Sequence, residues 1–346
     1  MATSRSKNRI AVLSPVAWRT PPHAYGAWET VASNLTEGLV KRGWDVTLFA
    51  TADSDTDADL EAVVERGYEE DENVDAKVCE YLHLSHCFEQ ADRFDLIHSH
   101  YDFMALAYSR LISTPMVTTI HGFSSPEIMP MYLKYSEGNF VSISESDRCA
   151  DLNYRGTVYN GIDCDLYPFQ ERPGRDLIFL GRIHPDKGLH MALEVAKAAG
   201  LRLLIGGLIQ DRAYFDHKIA PHLDGVSALY LGPLGVPEKN ELFANALGLL
   251  HLNTIPERFG LVLAEANCAG VPVIAMDLGS CREVLKPGET GFLVDTVEQA
   301  VEAVARLGEL NRSACRRRVE TLFSIQAMVL GYEAIYEAIL GNSAIR

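Results

Sequence analysis

Leu177-Ile178-Phe179-Leu180-Gly181-Arg182-Ile183-His184-Pro185-Asp186-Lys187-Gly188 opens with a short apolar run, breaks at a glycine and leads into a helical pattern over residues 190–199. A further apolar run covers 201–205. Strand, loop, helix, strand is a βαβ unit, and repeated βαβ units build a parallel sheet with helices on its faces. The alternation continues towards the C-terminus, with strands expected near 228–231, 248–252 and 271–275. It also runs back towards the N-terminus, with strands near 9–14, 45–49, 96–99, 116–120 and 140–144. Val31, Leu35 and Leu39 recur at helical spacing within 28–42, just before Gly43, and predict the helix after the first strand. In such sheets ligands bind beyond the carboxyl ends of the strands, so every loop after a strand is a candidate site.

The pattern is interrupted once, at 160–175, by Asn-Gly, Pro, Arg-Pro-Gly and several charges. A chain of 346 residues exceeds what one core usually holds, so we expect two doubly wound α/β domains, 1–160 and 161–324. Ile325, Met328, Val329, Tyr332, Ile335, Tyr336 and Ile339 form one face of a final amphipathic helix within 325–346.

Hydrophobic residues make up 47% and charged residues 23%, the balance of a globular protein. The first nine residues, Met-Ala-Thr-Ser-Arg-Ser-Lys-Asn-Arg, pass straight into a strand, and no apolar run is long enough to span a bilayer. We expect no signal peptide, no integral membrane segment and a cytoplasmic location. The seven cysteines are odd in number and scattered, with no C-x-x-C pair, and read as small buried hydrophobes, not as a disulfide framework or zinc site. A net charge of −16 without a basic stripe excludes nucleic acid as partner. Segment 53–75 holds eleven acidic residues and one basic one, Arg66, and reads as a solvated surface excursion.

Two constellations carry chemistry. In the quoted loop, Gly181 permits close backbone approach, and Arg182 and Lys187 are spaced to converge on one diphosphate, although in a surface loop they also read as solvated charges. The second is Pro256-Glu257-Arg258-Phe259-Gly260-Leu261-Val262-Leu263-Ala264-Glu265-Ala266, followed by Gly270-Val271-Pro272-Val273-Ile274-Ala275. A helix opening near Gly260 presents free N–H groups and the positive end of its dipole to an anion. Glu257 and Glu265 flank that position, and carboxylates beside a phosphate site serve to accept hydrogen bonds from hydroxyl groups. Sugar hydroxyls, diphosphate and ribose hydroxyls, in that order, describe a nucleotide sugar.

Gly-Arg-x-x-Pro-x-Lys-Gly, then Glu-x7-Glu, Gly-Val-Pro-Val-Ile-Ala, Gly279-Ser280 with Glu283, and Gly288-x-x-Gly291-Phe292 resemble family 4 of the retaining glycosyltransferases. His98-Ser99-His100, Thr119-Ile120-His121-Gly122, Ile143-Ser144 and Asn160-Gly161-Ile162-Asp163 agree with it. The resemblance implies the GT-B architecture: two Rossmann-like domains across a cleft, with the last helix crossing back to the N-terminal domain. It further implies that Arg182 and Lys187 hold the diphosphate, Glu257 the donor sugar hydroxyls and Glu265 the ribose. Backbone N–H groups of Phe259, Gly260 and Leu261 would meet the sugar and phosphate. His121 would face the transferred sugar, though a histidine after a strand also reads as structural. Relatives carry Gly-Gly-x-Glu in the first loop, where this chain has Tyr25-Gly26-Ala27-Trp28-Glu29. Tyr25, Gly26 and Trp28 line the acceptor side on this reading, and the two aromatics either stack on a sugar or pack the helix start.

The implied reaction is transfer of a hexose from a UDP- or GDP-sugar to a hydroxyl acceptor, with retention. Asp55-Thr56-Asp57 lies in the acidic excursion and no D-x-D pair with surrounding ligands occurs in a donor loop, so no essential metal and no other cofactor is expected. A nicotinamide oxidoreductase would need G-x-G-x-x-G after the first strand, and 14–26 lacks it. A sugar-nucleotide epimerase on the same fold and a catalytically silent sugar-nucleotide-binding protein remain as alternatives. Donor turnover without acceptor marks the first, and absence of donor hydrolysis marks the second.

Overall fold

The computed structural model describes residues 8–122 and 127–343. The reading of the first residues as leaderless falls largely on 1–7, and the end of the final helix on 344–346, both outside the described residues. The chain divides into two compact units, Met1–Gly161 with Ile325–Arg346, and Ile162–Ser324.

The first unit is a parallel sheet of seven strands: β1 (Arg9–Leu13), β2 (Asp45–Phe49), β3 (Asp59–Glu61), β4 (Leu96–Ser99), β5 (Met116–Ile120), β6 (Asn139–Ser142) and β7 (Tyr154–Thr157). Their order is β3-β2-β1-β4-β5-β6-β7, so the chain reverses its direction of travel across the sheet between β1 and β4. Crossover helices separate the chain ends of parallel strands, and at such a reversal they diverge to opposite faces and leave a crevice. The loop after β1, His100 after β4 and His121 after β5 lie at that place.

The second unit repeats the plan with six strands: β8 (Asp176–Leu180), β9 (Leu203–Gly206), β10 (Ala228–Tyr230), β11 (Ala246–His251), β12 (Val273–Met276) and β13 (Gly291–Val294). Their order, β10-β9-β8-β11-β12-β13, puts the reversal between β8 and β11. The loops carrying Arg182, Lys187 and Glu257 therefore emerge side by side. Ile178 and Leu249 are fully buried register partners on β8 and β11, as expected of a parallel sheet covered on both faces.

Three strands that the sequence pattern did not show, β3, β7 and β13, are all sheet edges. β3 (Asp-Leu-Glu) and β7 (Tyr-Arg-Gly-Thr) carry charge or glycine in place of an apolar run, as short edge strands tolerate, whereas β13 (Gly-Phe-Leu-Val) is apolar but only four residues long. β3 is Asp-Leu-Glu inside the acidic segment, so that segment is not wholly a solvated excursion: it adds a strand to the sheet and buries Val64. The backbone N–H groups of Tyr68 and Glu69 also bond the carbonyls of Val16 and Ala17.

The last helix, Ile325–Ser343, belongs to the first unit. Its Met328, Val329, Tyr332 and Tyr336 are buried, and Glu333 accepts hydrogen bonds from Arg42 at 2.6 Å and from Trp44 at 2.7 Å. Packing is tight at Gly38 of helix Ala27–Lys41, where an added Cβ would lie 2.5 Å from Val329 Cγ2 and 2.9 Å from Ile325 Cγ2. Gly38→Leu should therefore force the two helices apart and cost about 2 kcal/mol or more, read as a lowered denaturation midpoint. An unchanged midpoint would show that this contact does not hold the last helix in place.

Candidate functional site

In the second unit the site is built around Glu257. Its backbone bridges to Gly279 beyond β12, where Ser280 N–H donates to the Glu257 carbonyl at 2.9 Å. The side chain is buried, and Oε2 accepts from Lys187 Nζ at 2.8 Å, His251 Nε2 at 2.9 Å and Asn253 Nδ2 at 2.6 Å. Oε1 accepts the Arg258 N–H at 3.1 Å. Burial pushes this carboxyl up, but the His251 hydrogen bond and the Lys187 charge outweigh it and hold Glu257 well below the ordinary carboxylate range. Burial likewise lowers His251, which Glu257 only partly offsets, so a neutral imidazole donates to a full carboxylate.

Four residues on, the helix Leu261–Cys268 begins. Its N-cap, Gly260, has φ 80°, a left-handed conformation natural to glycine, and no side chain caps the first turn. The N–H groups of that turn are thus free of a competing side-chain acceptor from the cap. The Phe259 side chain turns away into the core against Phe323, with ring centroids 5.6 Å apart. The side chain is thus part of the core and not of the site surface.

Glu265, on the same helix, is buried, and both its oxygens have protein donors. Lys239 Nζ donates to both its oxygens at 3.0 Å, and the Tyr167 hydroxyl donates to Oε1 at 2.8 Å. Arg182 does not join the Lys187 group directly: its guanidinium bonds the Gln210 side chain from the loop after β9. Lys187 instead runs back over Gly181, whose hypothetical Cβ would sit 4.0 Å from Lys187 Cγ.

Sequence reasoning missed His251, Asn253, Lys239, Tyr167 and Gln210. His251-x-Asn253, polar residues closing an otherwise apolar strand, was a usable signal for the first two. Nothing in the spacing ties Lys239 or Tyr167 to Glu265.

In the first unit, His121 is buried and its Nε2 shares a 2.8 Å hydrogen bond with His100 Nδ1. The Trp28 ring stacks on His121 at 5.5 Å, and Tyr25 meets Trp18 edge to face at 5.9 Å. Both aromatics named from the sequence therefore have protein partners, Trp28 directly on the histidine. Behind them His98 bonds the Tyr336 hydroxyl at 2.5 Å and Thr119 Oγ1 at 2.7 Å, and Thr119 bonds Tyr332 at 2.8 Å. Burial lowers His98 and His121 to about 3 and His100 well below its usual range, so the row is neutral near pH 7.

Gly26 has φ 145° and caps helix Ala27–Lys41, while Ala27 is its exposed first residue. The glycine that the first loop needs is thus Gly26, and Ala27 occupies ordinary helical backbone. Glu29, in the first turn, is buried, and burial raises its carboxyl to about 7 despite backbone N–H donors from Glu29 and Trp18.

Among the described residues, no group of three or more His, Cys, Asp or Glu side chains is placed to hold a metal ion. No helix among them is long and apolar enough to cross a membrane.

Two Rossmann-like parallel-sheet units, with the last helix returned to the first, constitute the GT-B architecture. Residues 170–321 match the family described as Glycosyl transferases group 1, and residues 28–166 match Glycosyltransferase Family 4. The chain belongs to this family of glycosyltransferases. It is 28% identical over 243 residues to phosphatidyl-myo-inositol mannosyltransferase of Mycobacterium tuberculosis, covering 61% of this chain and 62% of that one. The match thus spans less than two thirds of the mannosyltransferase's length. Glycogen synthase of the same organism is 24% identical over 390 residues, covering 93% of this chain and 94% of the relative. In fold, the chain is similar to Anabaena HepE solved with UDP and glucose, with TM-score 0.74 and 17% identity over 96% of this chain and all of that one.

Glu29 gives the site a pH signature. An unfolded glutamate titrates near 4.5 and the folded one at about 7, so the native state holds its proton more tightly. Its contribution is complete below pH 4.5, is lost as pH rises towards 7 and stays lost above. Glu29→Gln should abolish that fall, so the stability difference between variant and wild type, measured by denaturation from pH 4.5 to 8, should shift in the variant's favour with rising pH. A constant difference would place the carboxyl in an ordinary environment.

Proposed function

We propose that the protein transfers a hexosyl group from a UDP- or GDP-sugar to a hydroxyl acceptor, with retention of configuration and without an essential metal. The observation that carries this is the pairing, at the sheet reversal, of the Gly260 helix end with a carboxylate whose ionised form is held by Lys187, His251 and Asn253. Departure of a nucleoside diphosphate leaves negative charge on phosphate and positive character on the sugar, so the main catalytic task is electrostatic. Lys187 has three donors and keeps Glu257 while offering another to phosphate. Arg182, released from Gln210, adds the second cation, and the N–H groups of Gly260 and Leu261 add the helix end. On Glu257, Oε2 carries three donors and Oε1 only the Arg258 N–H, which leaves the second lone pair of Oε1 for a donor-sugar hydroxyl. Glu265, oriented by Lys239 and Tyr167, is assigned to the ribose. His121 is the catalytic candidate of the first unit: a neutral imidazole fixed by His100 and Trp28, with Tyr25, Gly26 and Trp28 on the acceptor side. The UDP in the HepE structure supports the donor class, and a cytoplasmic site of action fits a sugar-nucleotide substrate.

Arg182→Ala and Lys187→Ala should each lower kcat/KM by about two orders of magnitude or more, since each removes a charge-assisted phosphate contact. Glu265→Gln should chiefly weaken binding of free nucleoside diphosphate, because a ribose contact is made alike in ground and transition states. Glu257→Gln should reduce kcat. Wild-type nucleotide affinity in Glu265→Gln would remove the ribose assignment.

Turnover should also continue in excess EDTA, because side chains and a helix end supply the charge at the leaving group. Loss of activity restored by magnesium or manganese would require a metal-assisted donor site instead. A panel of nucleotide sugars, scored for hydrolysis with and without acceptor, separates transfer from epimerisation and from silent binding.

A further inference from the structure

Glu265 and Lys239 come from different helices of the second unit, Leu261–Cys268 and Val236–Ala244. Lys239 Nζ bridges the carboxylate, 3.0 Å from each of its oxygens. The two side chains are 20% and 10% exposed, so the pair is held by its surroundings and still keeps an open edge.

The hydrogen-bonding capacity of that edge follows from the groups themselves. A carboxylate has about four acceptor sites, two on each oxygen. On Oε1 both are filled, by Lys239 and by the Tyr167 hydroxyl at 2.8 Å. On Oε2 Lys239 fills one, and the other is left. An ammonium has three N–H donors and no acceptor. Lys239 directs two of them at Glu265, and among the described residues the third has no protein partner.

One acceptor and one donor therefore stand side by side on an ion pair without net charge. A vicinal diol matches them, since one hydroxyl donates and the oxygen of the next accepts. A phosphate does not, because the remaining acceptor would face its negative oxygens. The position agrees with this. Glu265 lies five residues beyond Gly260, about 7.5 Å along the helix from the end assigned to the diphosphate. An unpaired carboxylate at that distance would repel the diphosphate, and Lys239 cancels its charge.

We propose that Lys239 is a second ribose-binding residue: Glu265 Oε2 accepts from one of the two ribose hydroxyls, and Lys239 Nζ donates to the oxygen of the other. This rests on the reading of Glu265 as the ribose contact. A carboxylate acting alone would have to take both hydroxyls, and its remaining acceptor site takes one. Each hydroxyl thus meets a charged partner of its own, and ribose is selected over deoxyribose at both positions.

The test measures Kd of the full chain for UDP and for its 2′-deoxy, 3′-deoxy, 2′-deoxy-2′-fluoro and 3′-deoxy-3′-fluoro analogues, with the GDP series alongside. Each deoxy analogue should bind wild type about tenfold or more weakly, because each lacks one hydrogen bond to a charged group. Fluorine accepts weakly and cannot donate. It should improve on the deoxy analogue at the hydroxyl held by Lys239 and fail to do so at the hydroxyl held by Glu265. Lys239→Met should abolish the penalty of the deoxy analogue that fluorine improves and keep the other penalty, and Glu265→Gln should do the reverse. The fluorine series on wild type carries the test alone if Lys239→Met does not fold. A penalty at only one hydroxyl, fluorine acting alike at both, or a Lys239→Met that weakens UDP and both deoxy analogues by one common factor overturns the proposal and leaves the Glu265 reading standing. Deoxy analogues as tight as the parent nucleotide at both positions overturn the ribose reading, and the proposal with it. A chain that binds neither UDP nor GDP overturns both together with the donor class.

Discussion

The second unit depends on keeping one carboxylate ionised out of water. Desolvating a charge is costly unless donors surround it, and Glu257 has a lysine, a histidine, an asparagine and a backbone N–H at hydrogen-bonding distance. These donors come from the loop after β8, from β11 and the residues just past it, and from the start of the next segment. Satisfying the carboxylate therefore fixes how those pieces meet at the sheet reversal. Lys187 is held over Gly181, and the next helix starts at Gly260, whose lack of a side chain leaves it without an N-cap acceptor of its own. The charge-neutralising network and the glycine-capped helix start thus lie together at the sheet reversal.

The first unit meets the equivalent crevice with uncharged groups. His98, His100 and His121 lie in a row behind the ends of β4 and β5, each neutral because burial disfavours the imidazolium. The last helix closes this row from behind through Tyr332 and Tyr336. Its return to the first unit thus fixes buried polar atoms as well as covering apolar surface. A loosened helix would leave Thr119 and His98 without these partners, and a buried unsatisfied donor or acceptor is costlier than a lost contact.

The sheets were legible in the sequence where both faces are buried. β2, β4 and β5 begin and end where their apolar runs do, because a central parallel strand has no polar face to blur the pattern. The edge strand β10 was legible from its apolar residues, but β3 and β7 were not, because their own residues carry charge or glycine and only the neighbouring strand defines them, and the four residues of β13 were too short a run to stand out. The same divide runs through the site. Arg182, Lys187, Glu257 and Glu265 stood out because charged residues beside glycines in a loop after a strand are conspicuous. Lys239, Tyr167 and Gln210 were invisible because each reaches its partner through tertiary contact, and no local spacing encodes that. The cysteine reading holds where burial does: all seven are free, and Cys79, Cys87, Cys268, Cys281 and Cys315 are buried, while Cys149 and Cys164 are only partly covered.

Truncating a member of the Glu257 network confounds chemistry with folding. Removing one partner of a buried ion pair costs about 3–5 kcal/mol, because the other is left buried and unpaired. Lys187→Ala strips Glu257 of its cation, so the carboxylate's hold on β11 and on the loop before Gly260 weakens together with any contact to phosphate. Glu257→Gln leaves Lys187 unpaired but preserves an acceptor oxygen of similar shape, which His251 or Asn253 still reaches. Arg182 differs, because its partner Gln210 is neutral and its loss strands no opposite charge. Among the two cations, Arg182 is therefore the cleaner probe of transition-state charge. A deficit in Lys187→Ala larger than that in Arg182→Ala would measure the structural role of the pair as much as its catalytic one.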